Sequence, residues 1–160
     1  MDVNVRMAAV DDIDKLVKAR FDYFEAENME MTVERRLVIE GNLRQYLLSH
    51  IGADDFFAAV IENENQIISL AFLVIAERPA NVYYPTGKVG TIYNVFTYPE
   101  YQKRGLATIT MDVLIKEARR RNLSYVELSS SELGKPLYEK FGFKELGHSR
   151  YTEMQLSLID

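Results

Sequence analysis

The 160-residue sequence contains no cysteine. That excludes disulfides, thiolate nucleophiles and cysteine-ligated metals, and it fits a reducing, cytoplasmic setting. Its two histidines, His50 and His148, show no metal-ligand spacing, so no metal is expected. The start, Met1-Asp2-Val3-Asn4-Val5-Arg6, lacks a cationic segment followed by an apolar run and does not read as a signal peptide. No apolar stretch approaches the ~18 residues of a membrane span; the longest, Ile67 to Ala76, contains Ser69. Positive charge is also short, with 19 Lys and Arg against 24 Asp and Glu for a net −5. Nucleic-acid and membrane partners are therefore disfavoured. Internal repeats, linkers and low-complexity segments are missing. Gly87-x-x-Gly90 lacks the partners of a P-loop or dinucleotide fingerprint.

What remains is an ordinary globular composition, 48% hydrophobic and 27% charged. The length predicts one domain over 1–160, large enough to bury roughly 70% of its unfolded surface. Val3 to Ala8 reads as a first strand. Asp11-Asp12 then offers an N-cap to a helix reaching about residue 26, with Ile13, Leu16, Val17, Phe21 and Phe24 at helical spacing. Thr32 to Leu48 is a second helix, which Gly41 could kink or divide. Phe56 to Ile61 and Ile67 to Ile75 form a hairpin of buried strands. Pro79 to Gly87 is a loop, and Val89 to Thr97 is the next strand. A third helix runs from Gly105 to about Arg121, its basic end Arg119-Arg120-Arg121 reading as a solvated last turn that complements the helix dipole. Ser124 to Ser130 is a strand, Lys135 to Phe141 a short helix, and strands follow from Phe143 and over Tyr151 to Leu158. The predicted order is β α α β β β α β α β β.

The chain is organised around residues 94–108, Asn94-Val95-Phe96-Thr97-Tyr98-Pro99-Glu100-Tyr101-Gln102-Lys103-Arg104-Gly105-Leu106-Ala107-Thr108. A β-branched and aromatic run passes a proline, turns through a glycine and opens a long helix. Free N–H groups and the helix dipole converge at such a turn, which makes it an anion site. The spacing Gln102-x-x-Gly105-x-Ala107 resembles the acetyl-CoA pyrophosphate loop of the GCN5-related N-acetyltransferases (GNAT). Leu137-Tyr138-Glu139-Lys140-Phe141-Gly142-Phe143 is similar to that family's C-terminal signature, and the element order is similar to the family's fold. The resemblance implies an α/β (α+β) domain with a central mixed, mostly antiparallel, twisted sheet of six to seven strands flanked by about four helices.

It also implies a chemistry. Acetyl-CoA is the implied co-substrate, transferring acetyl directly to a primary amine of a small molecule, amino acid derivative or polyamine. Val95, Phe96 and Thr97 would offer main-chain groups to the pantetheine arm. Gln102, Lys103, Arg104, Gly105, Leu106, Ala107 and Thr108 would surround the pyrophosphate, with Gly105 letting the backbone approach closely. Ser131 stands where members often carry an asparagine that touches pantetheine. Tyr138 matches the tyrosine near the cofactor sulfur and would protonate the leaving thiolate; as a lone residue it reads more readily as a core aromatic beside Phe141 and Phe143. A base is harder to place. The histone-modifying branch uses a strand glutamate where this sequence has Thr91, so a water relay through Tyr93 or Asn94 is expected. Tyr23, Phe24, Glu27, Tyr83 and Tyr84 are the acceptor-pocket candidates, an aromatic and acidic wall suited to a cationic amine. The family often dimerises, which admits a homodimer. Two alternatives stay open: a protein or peptide N-acetyltransferase, and a non-catalytic acyl-CoA-binding or sensing domain.

Overall fold

Turn chemistry and helix caps divide the described residues into five strands and four α-helices. The computed structural model describes residues 3–147 and 149–159; His148, with the expectation attached to it, lies outside the described residues. Strand β1 is Val5–Met7, and a 3-10 turn at Val10–Asp12 leads into helix α1, Ile13–Ala26. The Asp12 carboxylate accepts the Ala9 N–H at 2.8 Å and holds the Arg6 guanidinium at 2.7 and 2.8 Å. It therefore ties β1 to the start of α1 instead of capping α1 through its side chain. Helix α2, Val33–His50, is capped by Thr32, whose Oγ1 accepts the Arg35 N–H at 3.1 Å. It passes Gly41 unbroken: that exposed position costs about 1 kcal/mol relative to alanine, and the flanking apolar residues Ile39, Leu43 and Leu47 hold the helix on the core.

Strands β2, Phe56–Asn63, and β3, Gln66–Glu77, form the expected hairpin. Glu64 and Asn65 both take left-handed φ values, 48° and 64°, as a two-residue primed turn requires. Strand β4 is Lys88–Thr97, helix α3 is Leu106–Arg120, strand β5 is Val126–Glu127 and helix α4 is Lys135–Lys140. The sheet runs β1-β2-β3-β4-β5, antiparallel throughout except for the parallel β4–β5 pair.

Helices α1 and α2 pack Leu16, Val17, Phe21 and Leu47 onto Ala58, Val60, Leu70 and Phe72 of the hairpin. Leu106 of α3 packs instead with Ile61 and Ile68, and the same helix buries Thr110, Met111, Leu114 and Ala118. Arg120 and Arg121 at its end fold back onto Glu117 at 2.7 Å. Two compact units result, one through Ser129 with the sheet and α1–α3, the other from Ser130 with α4. No helix among the described residues is long and apolar enough to cross a membrane.

The mixed, mostly antiparallel sheet and the four helices agree with the expected fold; the strand count does not. Five strands replace the six to seven expected, and the described residues from Phe143 onward form no regular element. Met154, Leu156 and Leu158 do alternate with polar residues, yet they stand 91%, 82% and 89% exposed. Period-two alternation specifies an amphipathic edge, but a strand also needs a neighbour to satisfy its backbone donors and acceptors. Among the described residues that stretch has none.

Candidate active site

The connection from β4 to α3 is built around alternating backbone handedness. After a 3-10 turn at Pro99–Tyr101, Lys103 and Gly105 adopt left-handed φ of 60° and 75° on either side of Arg104. Such alternation turns successive N–H groups toward one side and forms an anion-binding nest. The N–H groups of Lys103, Arg104, Gly105, Leu106, Ala107 and Thr108 find no acceptor among the described residues. The last three belong to the open end of α3, where the helix dipole adds partial positive charge. A Cβ built on Gly105 would meet nothing within 4 Å, so the space before the nest is open. Side chains brace the loop from behind. Gln102 Nε2 donates to the Thr97 carbonyl at 3.0 Å, and Arg104 donates to the Glu100 carbonyl at 2.9 Å while lying over the Tyr101 ring.

The strand that feeds this loop has an open flank. β5 pairs with β4 only at Gly90 and Thr91. From Ile92 to Thr97 the outer edge of β4 has no strand beside it among the described residues, while its inner edge continues along β3 as far as Ser69↔Thr97. Unpaired main-chain groups along an open edge are what an extended, amide-bearing ligand uses to join a sheet. Val95, Phe96 and Thr97 occupy that edge, and the nest lies at its end.

A bulge re-aims β4 just before these residues. Leu70 pairs with Phe96 and Phe72 with Tyr93, so Asn94 and Val95 together oppose Ala71. Asn94 takes φ 54°, a left-handed conformation that asparagine tolerates better than most residues. The extra residue switches the strand's parity. Tyr93 and Phe96 therefore share the face covered by α1, as do their partners Phe72 and Leu70.

On that face, α1 contributes Arg20, Tyr23 and Phe24. Tyr23 meets the edge of Phe96 at 6.1 Å, and Arg20 Nη1 donates to Asn94 Oδ1 at 3.2 Å. The Arg20 guanidinium also lies over the Phe24 ring at 4.7 Å. Asn94 is 4% exposed, and its Nδ2 has no partner among the described residues. Burial lowers the Arg20 pKa and raises that of Tyr23, which Glu27 at the end of α1 raises further. Tyr98 donates to Asp22 at 2.5 Å, pinning α1 to the residue after β4; burial and that carboxylate push the phenol well above its ordinary range.

The remaining sequence candidates lie elsewhere. Tyr83 is exposed, and Tyr84 packs against Tyr125 and Arg78. That is the Lys88 end of β4, whereas Tyr23 and Phe24 lie near Phe96 toward the Thr97 end, so the structure does not bring these aromatics together. In the second unit, Ser131 Oγ accepts the Gly134 N–H at 3.2 Å before α4. Tyr138 packs edge-on to Phe143 at 6.0 Å, and a Cβ on Gly134 would come within 3.2 Å of its ring and 3.4 Å of the Ser131 hydroxyl. His50 Nδ1 meets Asp55 at 2.8 Å, and its ring stacks on Tyr46 at 4.2 Å. No cluster of three or more His, Asp or Glu among the described residues could hold a metal ion.

The sequence profile of the acetyltransferase (GNAT) family matches residues 15–143. The chain belongs to this family. A predicted acetyltransferase from Clostridium acetobutylicum, crystallised with acetyl-CoA, is 30% identical, with TM-score 0.83 and 96% of each chain covered. A GCN5-related N-acetyltransferase from Ralstonia eutropha is 22% identical with TM-score 0.77 and 98% of each chain covered. Glucosamine-6-phosphate N-acetyltransferase from Arabidopsis thaliana shares the fold at 19% identity, TM-score 0.66, over 96% of this chain and all 100% of that one. No curated protein sequence matches significantly.

Within this acetyltransferase, sequence reasoning passed over Arg20. Yet Arg20 lies four residues after Leu16, three after Val17 and four before Phe24, on the stripe that faces the sheet. A charged residue on an apolar stripe was the available signal. The bulge at Asn94 carried no such mark, because it arises from the pairing of β4 with β3.

Proposed function

We propose that residues 1–160 act as a single N-acetyltransferase domain, passing the acetyl group of acetyl-CoA directly to a primary amine of a small molecule, amino acid derivative or polyamine. The observation that carries this is the continuity of two features: the unpaired edge of β4 leads straight into the nest of free N–H groups at the start of α3. One fits an amide-containing arm and the other a pyrophosphate, and the open space before Gly105 admits it. The thioester supplies an activated acyl group when bound; the chain's part is placement.

In this reading the edge of Val95–Thr97 fixes the pantetheine arm. The backbone of Lys103–Thr108 holds the pyrophosphate, with the ammonium of Lys103 adding charge. Gln102 and Arg104 serve by bracing the loop through the Thr97 and Glu100 carbonyls. Holding donor and amine together removes the entropy of their encounter, the main source of rate in a direct transfer. The amine must lose a proton, and β4 offers Tyr93 and Asn94 as polar groups through which a water could pass it on. Tyr138 is assigned on its motif as the acid that returns a proton to the departing thiolate. Ser131, bonded to the Gly134 amide, keeps its own hydroxyl proton for a cofactor contact. Tyr23, Phe24 and Glu27 form the acceptor wall on the α1 side; Tyr83 and Tyr84 would contribute only from the far end of β4.

A non-catalytic acyl-CoA-binding role is favoured by one observation: β4 carries no carboxylate, with Thr91 facing the α1 side opposite Val74. A free-thiol assay with acetyl-CoA and a panel of small amines, polyamines and peptides separates the readings. Thiol release with a small amine supports the enzyme. CoA-dependent thermal stabilisation with no thiol release from any acceptor supports the sensor, and release with peptides alone makes the acceptor a protein.

A further inference from the structure

Four arginines among the described residues are half-buried: Arg6, Arg20, Arg44 and Arg121. Three hold carboxylates. Arg6 grips Asp12 and Glu62, Arg44 grips Asp14 and Glu40, and Arg121 grips Glu117 and Asp54. Among the described residues Arg20 has no carboxylate partner. Its one hydrogen bond among them goes to the neutral amide of Asn94, and the rings of Phe24 and Tyr23 flank it.

A guanidinium carries five N–H donors, and withdrawing one from water without a counter-charge is costly. A structural arginine at this position would be expected to have gained an acidic partner, as the other three have. Tyr23 from α1 and Tyr93 from β4 are the ionisable groups that face it, and Tyr46 from α2 faces Tyr93. All three are phenols; the carboxylates nearest them, Glu27 beside Tyr23 and Asp55 beside Tyr46, act on those phenols, and neither pairs with Arg20. Tyr93 is 47% exposed, and Arg20, Tyr23, Phe24 and Phe96 are only partly covered, so a ligand can reach this face. Asn94, which orients the guanidinium, directly precedes Val95–Thr97. One residue, about 3.3 Å of strand, separates the anchor of Arg20 from the edge assigned to the acyl donor.

We propose that Arg20 is a specificity residue of the acceptor site and that the acceptor is an amine carrying a carboxylate or phosphate, which the guanidinium binds. This rests on the acetyl-transfer reading and narrows it: plain polyamines and neutral amines become poor substrates, and amino acids or phosphorylated amines good ones. Asn94 positions the guanidinium by accepting one N–H, leaving the others for the anion.

The test uses matched amines that differ only in the anion: an amino acid against its carboxamide, and an amino sugar 6-phosphate against the unphosphorylated sugar. These two pairs also tell carboxylate from phosphate. Wild type should favour the anionic member of one pair by about tenfold or more in kcat/KM. In Arg20→Gln that preference should collapse through KM, and Arg20→Lys should restore part of it, with the Kd for CoA unaltered in both. Equal use of both members by wild type, or a preference that survives in Arg20→Gln, overturns the proposal. A failure of the acetyl-transfer reading shows differently, as CoA binding with no amine turned over. Thermal protection of the CoA-saturated protein by the same amines then decides: protection by an anionic member that is lost in Arg20→Gln upholds the anion site, and none in wild type rejects it. Should Arg20→Gln fail to fold, Arg20→Lys carries the test, because a compact ammonium cannot reproduce a forked contact and should raise KM for the anionic member severalfold.

Discussion

Gly105 is asked to do two things at once: it holds a left-handed φ of 75°, and it leaves open space before the nest. Gly105→Ala should separate them. The backbone penalty for a side chain in this conformation is about 1–2 kcal/mol, visible as a lower melting temperature. The added methyl would also enter the open space that the proposed function gives to the pyrophosphate, so on that reading the Kd for CoA should rise about tenfold, a loss of about 1.4 kcal/mol. Titration calorimetry on the folded variant checks it, and an unaltered Kd would move the pyrophosphate away from this nest. Tyr138→Phe tests the other end of the reaction. Removing the phenol oxygen should cut kcat about a hundredfold if the hydroxyl is the acid, with CoA binding kept. An unchanged kcat would reject the acid role and assign the Tyr138 ring to packing beside Phe143. At this scale the loop was readable from its spacing, because a left-handed turn constrains residue type directly. Arg20 was equally present in the sequence as a charge on an apolar stripe. The handedness of Asn94 was not, since asparagine within a β-branched run does not disclose the partner register that forces the bulge.

Among the elements, β4 leads into the proposed site, and it packs closely where β5 still pairs with it. A Cβ on Gly90 would fall 2.9 Å from Leu73 on β3 and 2.9 Å from Leu123 on the connection between α3 and β5. Its backbone is not left-handed, so the cost of Gly90→Ala comes from overpacking alone. It should destabilise by about 1–3 kcal/mol in urea unfolding, and Leu73→Ala in the same chain should recover part of that loss. Strictly additive losses would mean that the leucines move aside freely. The β2–β3 hairpin and α3 were legible because each satisfies its pattern locally, through a primed turn in one case and a helical stripe in the other. Residues 151–158 show the opposite case. Their alternation is as regular as that of many strands, but whether a strand forms depends on a neighbour that no local pattern encodes. β5 is a milder example: it ends after Glu127 because β4 and β5 no longer pair there, and this early ending is what leaves the flank of β4 open.

Across the whole molecule, one charged network links β1, the start of α1 and β2. Arg6 bridges Asp12 and Glu62, and Lys15 reaches Glu62 at 2.8 Å. The Arg6 guanidinium holds the Asp12 carboxyl down at about 2, against an ordinary 3.8, opposed by burial and helped by the Ala9 amide. The folded state therefore binds this proton less readily than the unfolded chain. The resulting stabilisation is present above the unfolded value and is lost as pH falls from about 4 toward about 2. Its size at neutral pH is roughly 2 kcal/mol, large against a total of about 5–15 kcal/mol. Asp12→Asn should thus lower the urea midpoint most near neutral pH, and the gap to wild type should narrow steadily below about pH 4. Glu62 is also held below its ordinary value, first by Lys15, and it remains in the variant, so the variant should still lose stability in acid but over a smaller span. Unfolding curves for both proteins across that pH range are decisive: a gap that stays constant into acid would mean that Asp12 stabilises through its shape and neutral hydrogen bonds, and not through its charge. The network joins β1 and β2 to α1, the helix that also carries Arg20, Tyr23 and Phe24. Acid loosening of that helix should accordingly raise KM for the acceptor at a higher pH than it raises the Kd for CoA, whose proposed contacts lie on β4 and at the start of α3. Parallel acceptor and CoA titrations down the same pH series measure that order, and loss of CoA binding first would reverse it.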